Sequence, residues 1–136
     1  MSIEEKQNFP TYQDSDSIEY PQNEREVSSL IKKFYKSNIP IELVGSGSKK
    51  NIGKPLQCSK TLNLSKLNGI IEYLPEELYI KVKACTPIKQ IEEELKKNKQ
   101  QLAFEPVDFG YLFNRKSDFG TAAGQVACNI SGPRRF

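Results

Sequence analysis

Residues 39–53, IPIELVGSGSKKNIG, decide how the rest of the chain is read. The first six are rich in β-branched side chains and stopped by glycine, the pattern of a strand. The loop after them carries Gly45, Ser46, Gly47, Ser48, Lys49, Lys50 and Gly53. Small residues leaving a strand can turn their N–H groups inward as an anion nest. Glycine there lets a phosphate oxygen approach the main chain without meeting a Cβ. A Walker loop fails on this stretch, because Gly47 is followed by Ser48 and then Lys49. The fingerprint GxGxxG starts as Gly45-Ser46-Gly47, but Lys50 stands at its third glycine. Gly53 and Pro55 also keep a helix from opening at once. Two readings stay open from the loop alone. It is an anion cradle using the Ser46 and Ser48 hydroxyls and the Lys49 charge, or a soluble turn that binds nothing.

Upstream, residues 23–38 set Val27, Leu30, Ile31 and Phe34 at i, i+3, i+4 and i+7, one face of a helix. Asn23 and Glu26 give it a capping-box start, and Lys36 suits the negative end of its dipole. Residues 1–22 are polar and aperiodic, so a loose N-terminal arm is expected, with one domain over 23–136. Downstream, residues 60–67, 69–74 and 78–84 read as strands, the last with Leu78, Ile80 and Val82 on one face. Residues 86–100 read as a second helix, with Thr86 as cap, Pro87 at its first position and Ile88, Ile91 and Leu95 inward. Glu92–Lys96 and Glu93–Lys97 are its expected surface pairs. Helix, strand, strands, helix is an α/β arrangement.

Beyond residue 101 the periodicity breaks down until Thr121, which is placed to cap a short helix of small residues, AAGQVACN. The stretch 120–129, GTAAGQVACN, is therefore a second glycine loop with a hydroxyl and a helix start, a second place for anion-binding N–H groups. Two such loops, separated by strands and a helix, suit a long ligand with a diphosphate. The alternative is that Ala122 and Ala123 serve tight helix–sheet packing.

Composition narrows the chemistry. The 136 residues suit one modest domain, and 20 basic against 17 acidic residues leave a net charge of only +3, so nucleic acid is not an expected partner. Histidine is absent, which removes Ser-His-Asp and Cys-His nucleophiles and the commonest metal ligand. Cys58, Cys85 and Cys128 form no CxxC pair and read as free thiols of a reducing cytoplasm; no metal site is expected. No apolar run approaches the length of a membrane span, and the N-terminus is not a secretory signal.

Four segments, PIELVGSGSKKNIG, LNLSKLNGIIEYLPEELYIKVKACTPIKQIEEEL, LAFEPVD and GTAAGQVACNISGPRR, occur in the order seen in the FAD-binding subunit of bacterial glycolate oxidase. That family belongs to the vanillyl-alcohol oxidase and p-cresol methylhydroxylase (PCMH) flavoproteins, and the resemblance runs from about residue 21 to the end. It implies a fold of α/β (α+β) class: a βαβ-type N-terminal subdomain of a PCMH-type FAD-binding domain, followed by the start of an incomplete second subdomain. It implies FAD as cofactor, with Gly45, Ser46, Gly47, Ser48 and Lys49 at the diphosphate. Gly120, Thr121, Ala122, Ala123 and Gly124 match the second loop and Asn129 the polar residue after it. Thr86, Pro87, Glu105, Pro106 and Asp108 fall in connecting stretches near the cofactor.

Two positions depart from the family: Ala123 replaces a glycine, and Val107 replaces the second proline of EPPD. The family also continues past SGPRR, so the expectation is a fragment with half a flavin cleft and weak or absent FAD binding by itself. In the complete enzyme the resemblance implies oxidation of glycolate, a 2-hydroxy acid, to glyoxylate. Its expected partners are a flavin-containing catalytic subunit and an iron–sulfur subunit, with peripheral membrane association through them. No catalytic residue is expected in this chain: Glu105 and Asp108 are the acids of the region, and neither reads as a base. Phe109, Tyr111 and Phe113 are candidates to stack on a ring but read mainly as core or interface packing, and Arg134 and Arg135 read as a solvated pair or a phosphate or partner contact. The competing expectation is an assembly fragment that contacts partner subunits without holding flavin.

Overall fold

A computed structural model describes residues 18–54, 56–113, 120–129 and 131–133. Asn23 starts the first helix, α1 (Glu24–Lys36), by accepting the Glu26 N–H at 3.0 Å. The Glu26 carboxylate reaches back to the Gln22 N–H and the Asn23 side-chain amide, both at 2.7 Å. The capping box is therefore made, displaced by one residue on its return arm. Phe34 is the buried anchor of α1, whereas Ile31 is exposed, so the apolar stripe is narrower than its spacing suggests.

Three strands form a parallel sheet in the order β1 (Ile18–Glu19), β3 (Lys60–Asn63), β2 (Ile41–Val44). The short strand β1 falls within the stretch read as a loose arm. It pairs Ile18 with Thr61 and Glu19 with Leu62, and α1 carries the chain over to the far edge, the expected βαβ-type unit. Leu62, on the central strand, is fully buried. The Val44 carbonyl accepts the Leu64 N–H at 2.7 Å, so pairing persists to the last residue before the glycine loop. That loop leaves the carboxyl end of a parallel sheet, the usual ligand side of such sheets.

A second, antiparallel pair joins β4 (Ile70–Leu74) and β5 (Tyr79–Val82), with an irregularity at Ile71. Its tip is a 3₁₀ turn, Pro75–Glu77, closed by Leu78 in the left-handed region (φ 54°). That geometry takes Leu78 off the core face assigned to it, and its side chain is 81% exposed. Helix α2 (Ile88–Lys97) lies over this hairpin, packing Ile88, Ile91 and Leu95 against Tyr73, Ile80, Val82, Leu102 and Ala122. Gln100 locks the far end, accepting the Tyr73 hydroxyl and donating to the Pro75 carbonyl, each at 2.7 Å. The surface ion pairs of α2 differ from those expected. Lys97 meets Glu94 at 2.6 Å and Lys89 meets Glu93 at 3.9 Å.

Thr86 is not the cap of α2. Pro87 occupies that position, and the first helical amide, Ile88 N–H, donates to the Gly120 carbonyl at 3.1 Å. Among the described residues no helix is long and apolar enough to cross a membrane.

Candidate functional site

Two loops meet at the end of β2. The second is tied to the hairpin: Pro87 and Thr121 form an antiparallel bridge, and the Ala122 and Ala123 amides donate to the carbonyls of Thr86 and Ala84, each at 2.9 Å. Thr121 then caps α3 (Ala122–Ala127), its hydroxyl accepting the Gly124 N–H at 3.3 Å. The contact between the loops is tight. A Cβ on Gly45 would lie 3.2 Å from Thr121 Oγ1 and 3.4 Å from Cys85 Sγ.

The polar groups of the first loop converge on Gly120. A Cβ built there would stand 2.7 Å from Ser48 Oγ, 3.3 Å from Lys49 Nζ and 3.7 Å from Ser46 Oγ. Two hydroxyls and an ammonium thus surround a spot that only glycine leaves open, and Gly120 adopts φ 74°, a region glycine enters without strain. Gly47, with φ 73°, turns the first loop. Among the described residues, the amides of Ser46, Gly47, Ser48 and Lys49 donate no hydrogen bond to the chain. Such donors suit an anion.

The α3 N-terminus behaves oppositely. Ala122 and Ala123 donate to the hairpin, Gly124 to the Thr121 hydroxyl, and Gln125 N–H to the Thr121 carbonyl at 3.0 Å. The second loop therefore contributes space and shape, and its first-turn amides are not the anion donors expected there.

The two lysines diverge. Lys50 Nζ is 3.5 Å from the Glu42 carboxylate on β2, while Lys49 Nζ turns toward Gly120 and lies 5.5 Å from the centroid of Phe109.

Thr86, Asp108 and Glu105 hold neighbouring segments in place. Thr86 is fully buried; its hydroxyl accepts the Gly69 N–H at 3.0 Å and donates among the carbonyls of Lys83 at 2.7 Å and Gly69 at 3.0 Å. Asp108 Oδ1 accepts the Gly110 N–H at 2.7 Å and fixes the turn into the 3₁₀ segment Gly110–Phe113. Glu105 docks on 131–133: its N–H donates to the Ser131 carbonyl at 3.0 Å, and a Cβ on Gly132 would meet its side chain at 2.6 Å. Pro106 lines a cleft of about 150 Å³ beside α2, and Asn129 lines another of about 180 Å³ past the end of α3. Tyr111 is exposed, and Arg134 and Arg135 lie outside the described residues.

Three residues of the site carried no clear signal in sequence. Cys85 sits under Gly45, and burial pushes its thiol above the ordinary value of 9.0. Gln125, buried on α3, donates to the Val107 carbonyl at 2.9 Å and so pins the segment that delivers Phe109. Phe109 itself was legible only as an aromatic in an irregular stretch.

Residues 16–136 match the FAD binding domain family. The chain belongs to that family. Its cofactor is FAD. The chain is 36% identical over 96 residues to glycolate oxidase subunit GlcE of Escherichia coli (strain K12), a match covering 71% of the chain and 25% of the relative. Among solved structures, an alkyldihydroxyacetonephosphate synthase superposes with a TM-score of 0.62 at 23% identity, covering 84% of this chain and 21% of that one. A mutant cholesterol oxidase from Brevibacterium sterolicum gives 0.58 at 19% identity, covering 85% and 21%. These likenesses establish the fold, part of a PCMH-type FAD-binding domain. The chain spans about a quarter of the length of the curated relative (25%) and about a fifth of the solved chains (21%).

Proposed function

We propose that this chain is the diphosphate-holding segment of a glycolate oxidase-type flavoprotein. One observation carries the reading: four undirected amides, from Ser46 to Lys49, lie beside two hydroxyls and an ammonium that converge on the space left by Gly120. Gly45 and Gly47 allow the main chain to approach the ligand, Ser46 and Ser48 donate from their hydroxyls, and Lys49 supplies charge. Hydrogen bonds to a charged acceptor are worth about 1.5–3 kcal/mol each, so a few of them suffice for a diphosphate.

Gly120 and Gly124 form the opposing wall, where the lack of a side chain leaves room for the ligand, while Ala122 packs into the core beneath. Thr121 keeps that wall against Gly45. Thr86, Pro87, Glu105 and Asp108 act through the backbone they position.

When bound, FAD supplies the acceptor for the electron pair leaving the α-carbon of a 2-hydroxy acid. Likeness to a glycolate oxidase subunit supports glycolate as that acid, with glyoxylate as its oxidation product, and a place among several subunits. The companions in this proposal are a flavin-containing and an iron–sulfur subunit.

The test is a titration of the 136-residue chain with FAD, followed by the visible flavin spectrum and equilibrium dialysis. Saturable binding that riboflavin, lacking the diphosphate, does not match is expected. Absence of FAD binding at millimolar concentration overturns the reading for this chain. Glycolate-dependent dye reduction by the assembled complex, lost with Gly120→Val in this subunit, tests the activity.

A further inference from the structure

We propose that Phe109 is a positioning residue, whose ring holds the Lys49 ammonium at the cradle before any anion arrives. The inference rests on the reading of residues 45–49 as a diphosphate cradle. Lysine carries a flexible four-carbon stem, so without a restraint its charge would sample much of the surrounding solvent. The structure gives Lys49 such a restraint. Its Nζ lies 5.5 Å from the Phe109 centroid, within the range of a cation–π contact. The same atom would lie 3.3 Å from a Cβ on Gly120 and 4.0 Å from one on Gly124, so the ring and the second loop together place it. Among the described residues Lys49 forms no ion pair, unlike Lys50, which is held by Glu42. Its charge is therefore available to a ligand while its position is restrained by an uncharged surface.

The location of Phe109 is itself built. Gln125 on α3 grips the Val107 carbonyl, and Asp108 fixes the turn at Gly110. Helix α3 begins at Thr121, which touches Gly45. The helix that sets the far wall of the cradle thus also sets the ring that aims the lysine. An aromatic ring suits this task better than a carboxylate, because it attracts the ammonium without neutralising it.

The experiment is a double-mutant cycle in the full chain, with FAD, inorganic pyrophosphate and riboflavin as probes. Phe109→Leu should weaken FAD and pyrophosphate by about three- to tenfold, within the range of a partly desolvated cation–π contact, and leave riboflavin unmoved. Phe109→Trp, with a stronger π face, should retain or tighten FAD binding. In a Lys49→Met background Phe109→Leu should have no further effect. Equal weakening in both backgrounds, or equal weakening of riboflavin, would make Phe109 mere packing and overturn the proposal. Weakening by Lys49→Met without any effect of Phe109→Leu sinks the proposal alone. No effect of Lys49→Met or Ser48→Ala sinks the cradle reading and the proposal with it. Should Phe109→Leu fail to fold, the unsubstituted chain still decides. The Lys49 ε-methylene protons must lie upfield of those of other lysines, and an unshifted position overturns the contact.

Discussion

Gly120 stands so close to Ser48 that a single added methyl would come within 2.7 Å of the serine hydroxyl oxygen. The residue also holds φ 74°, where an L side chain is strained. Gly120→Ala should therefore lower stability by about 1–2 kcal/mol from backbone strain and fill the space on which the donors converge. Urea unfolding and FAD titration check the two effects. Unchanged binding in a folded Gly120→Ala chain would show that the ligand does not use this space.

Thr86 joins three backbone groups of the hairpin by one buried hydroxyl. Thr86→Val keeps the shape and strands the Gly69 N–H, and should cost about 1–3 kcal/mol. Thr86→Ser keeps the hydroxyl and should lose only about 0.8 kcal/mol with its methyl. Urea midpoints of the two variants should fall in that order.

Leu78 is an exposed leucine in the left-handed region at the hairpin tip. Leu78→Gly relieves the strain without removing a core contact, and should stabilise the chain by about 0.5–1 kcal/mol. Thermal unfolding measures this directly. A loss of stability would mean that the leucine side chain makes a contact worth more than the strain.

Burial raises the Cys85 thiol above 9.0, so the folded state retains a proton that the unfolded chain releases. Its contribution is complete below the unfolded value and is lost as pH rises from there through the folded value. The stability gap between the native chain and Cys85→Ala should narrow as pH rises above the ordinary thiol value of 9.0. A gap that stays level would refute the assignment. Iodoacetamide should label exposed Cys128 first and Cys85 last.

The parts of the fold legible in sequence are those whose signals are local. Asn23 and Thr121 were recognisable as caps because the partner N–H lies three residues away in each case. The spacing of Ile88, Ile91 and Leu95 marks their face because a helix repeats every 3.6 residues wherever it sits. Thr86 misled for the same reason: next to Pro87 it resembles a cap, but its hydroxyl is drawn to Gly69, seventeen residues away. Leu78 misled because period-two alternation ignores the turn that precedes it. Strand β1 is only two residues long and has no period to detect; it exists because β3 offers a free parallel edge.

By itself the sequence determined the α/β class, both long helices, the strand–glycine loop unit and a family resemblance that names FAD. Those follow from short-range patterning and from motif order. Only the tertiary structure decided which loop can donate to an anion. The first-turn amides of α3 are satisfied by the hairpin and by Thr121, while those of Ser46 to Lys49 are not. Only it separated Lys49 from Lys50, adjacent in sequence but drawn to Phe109 and Glu42 respectively. Hydrogen-bond satisfaction and side-chain direction depend on which distant segments arrive, and a local pattern does not carry that information.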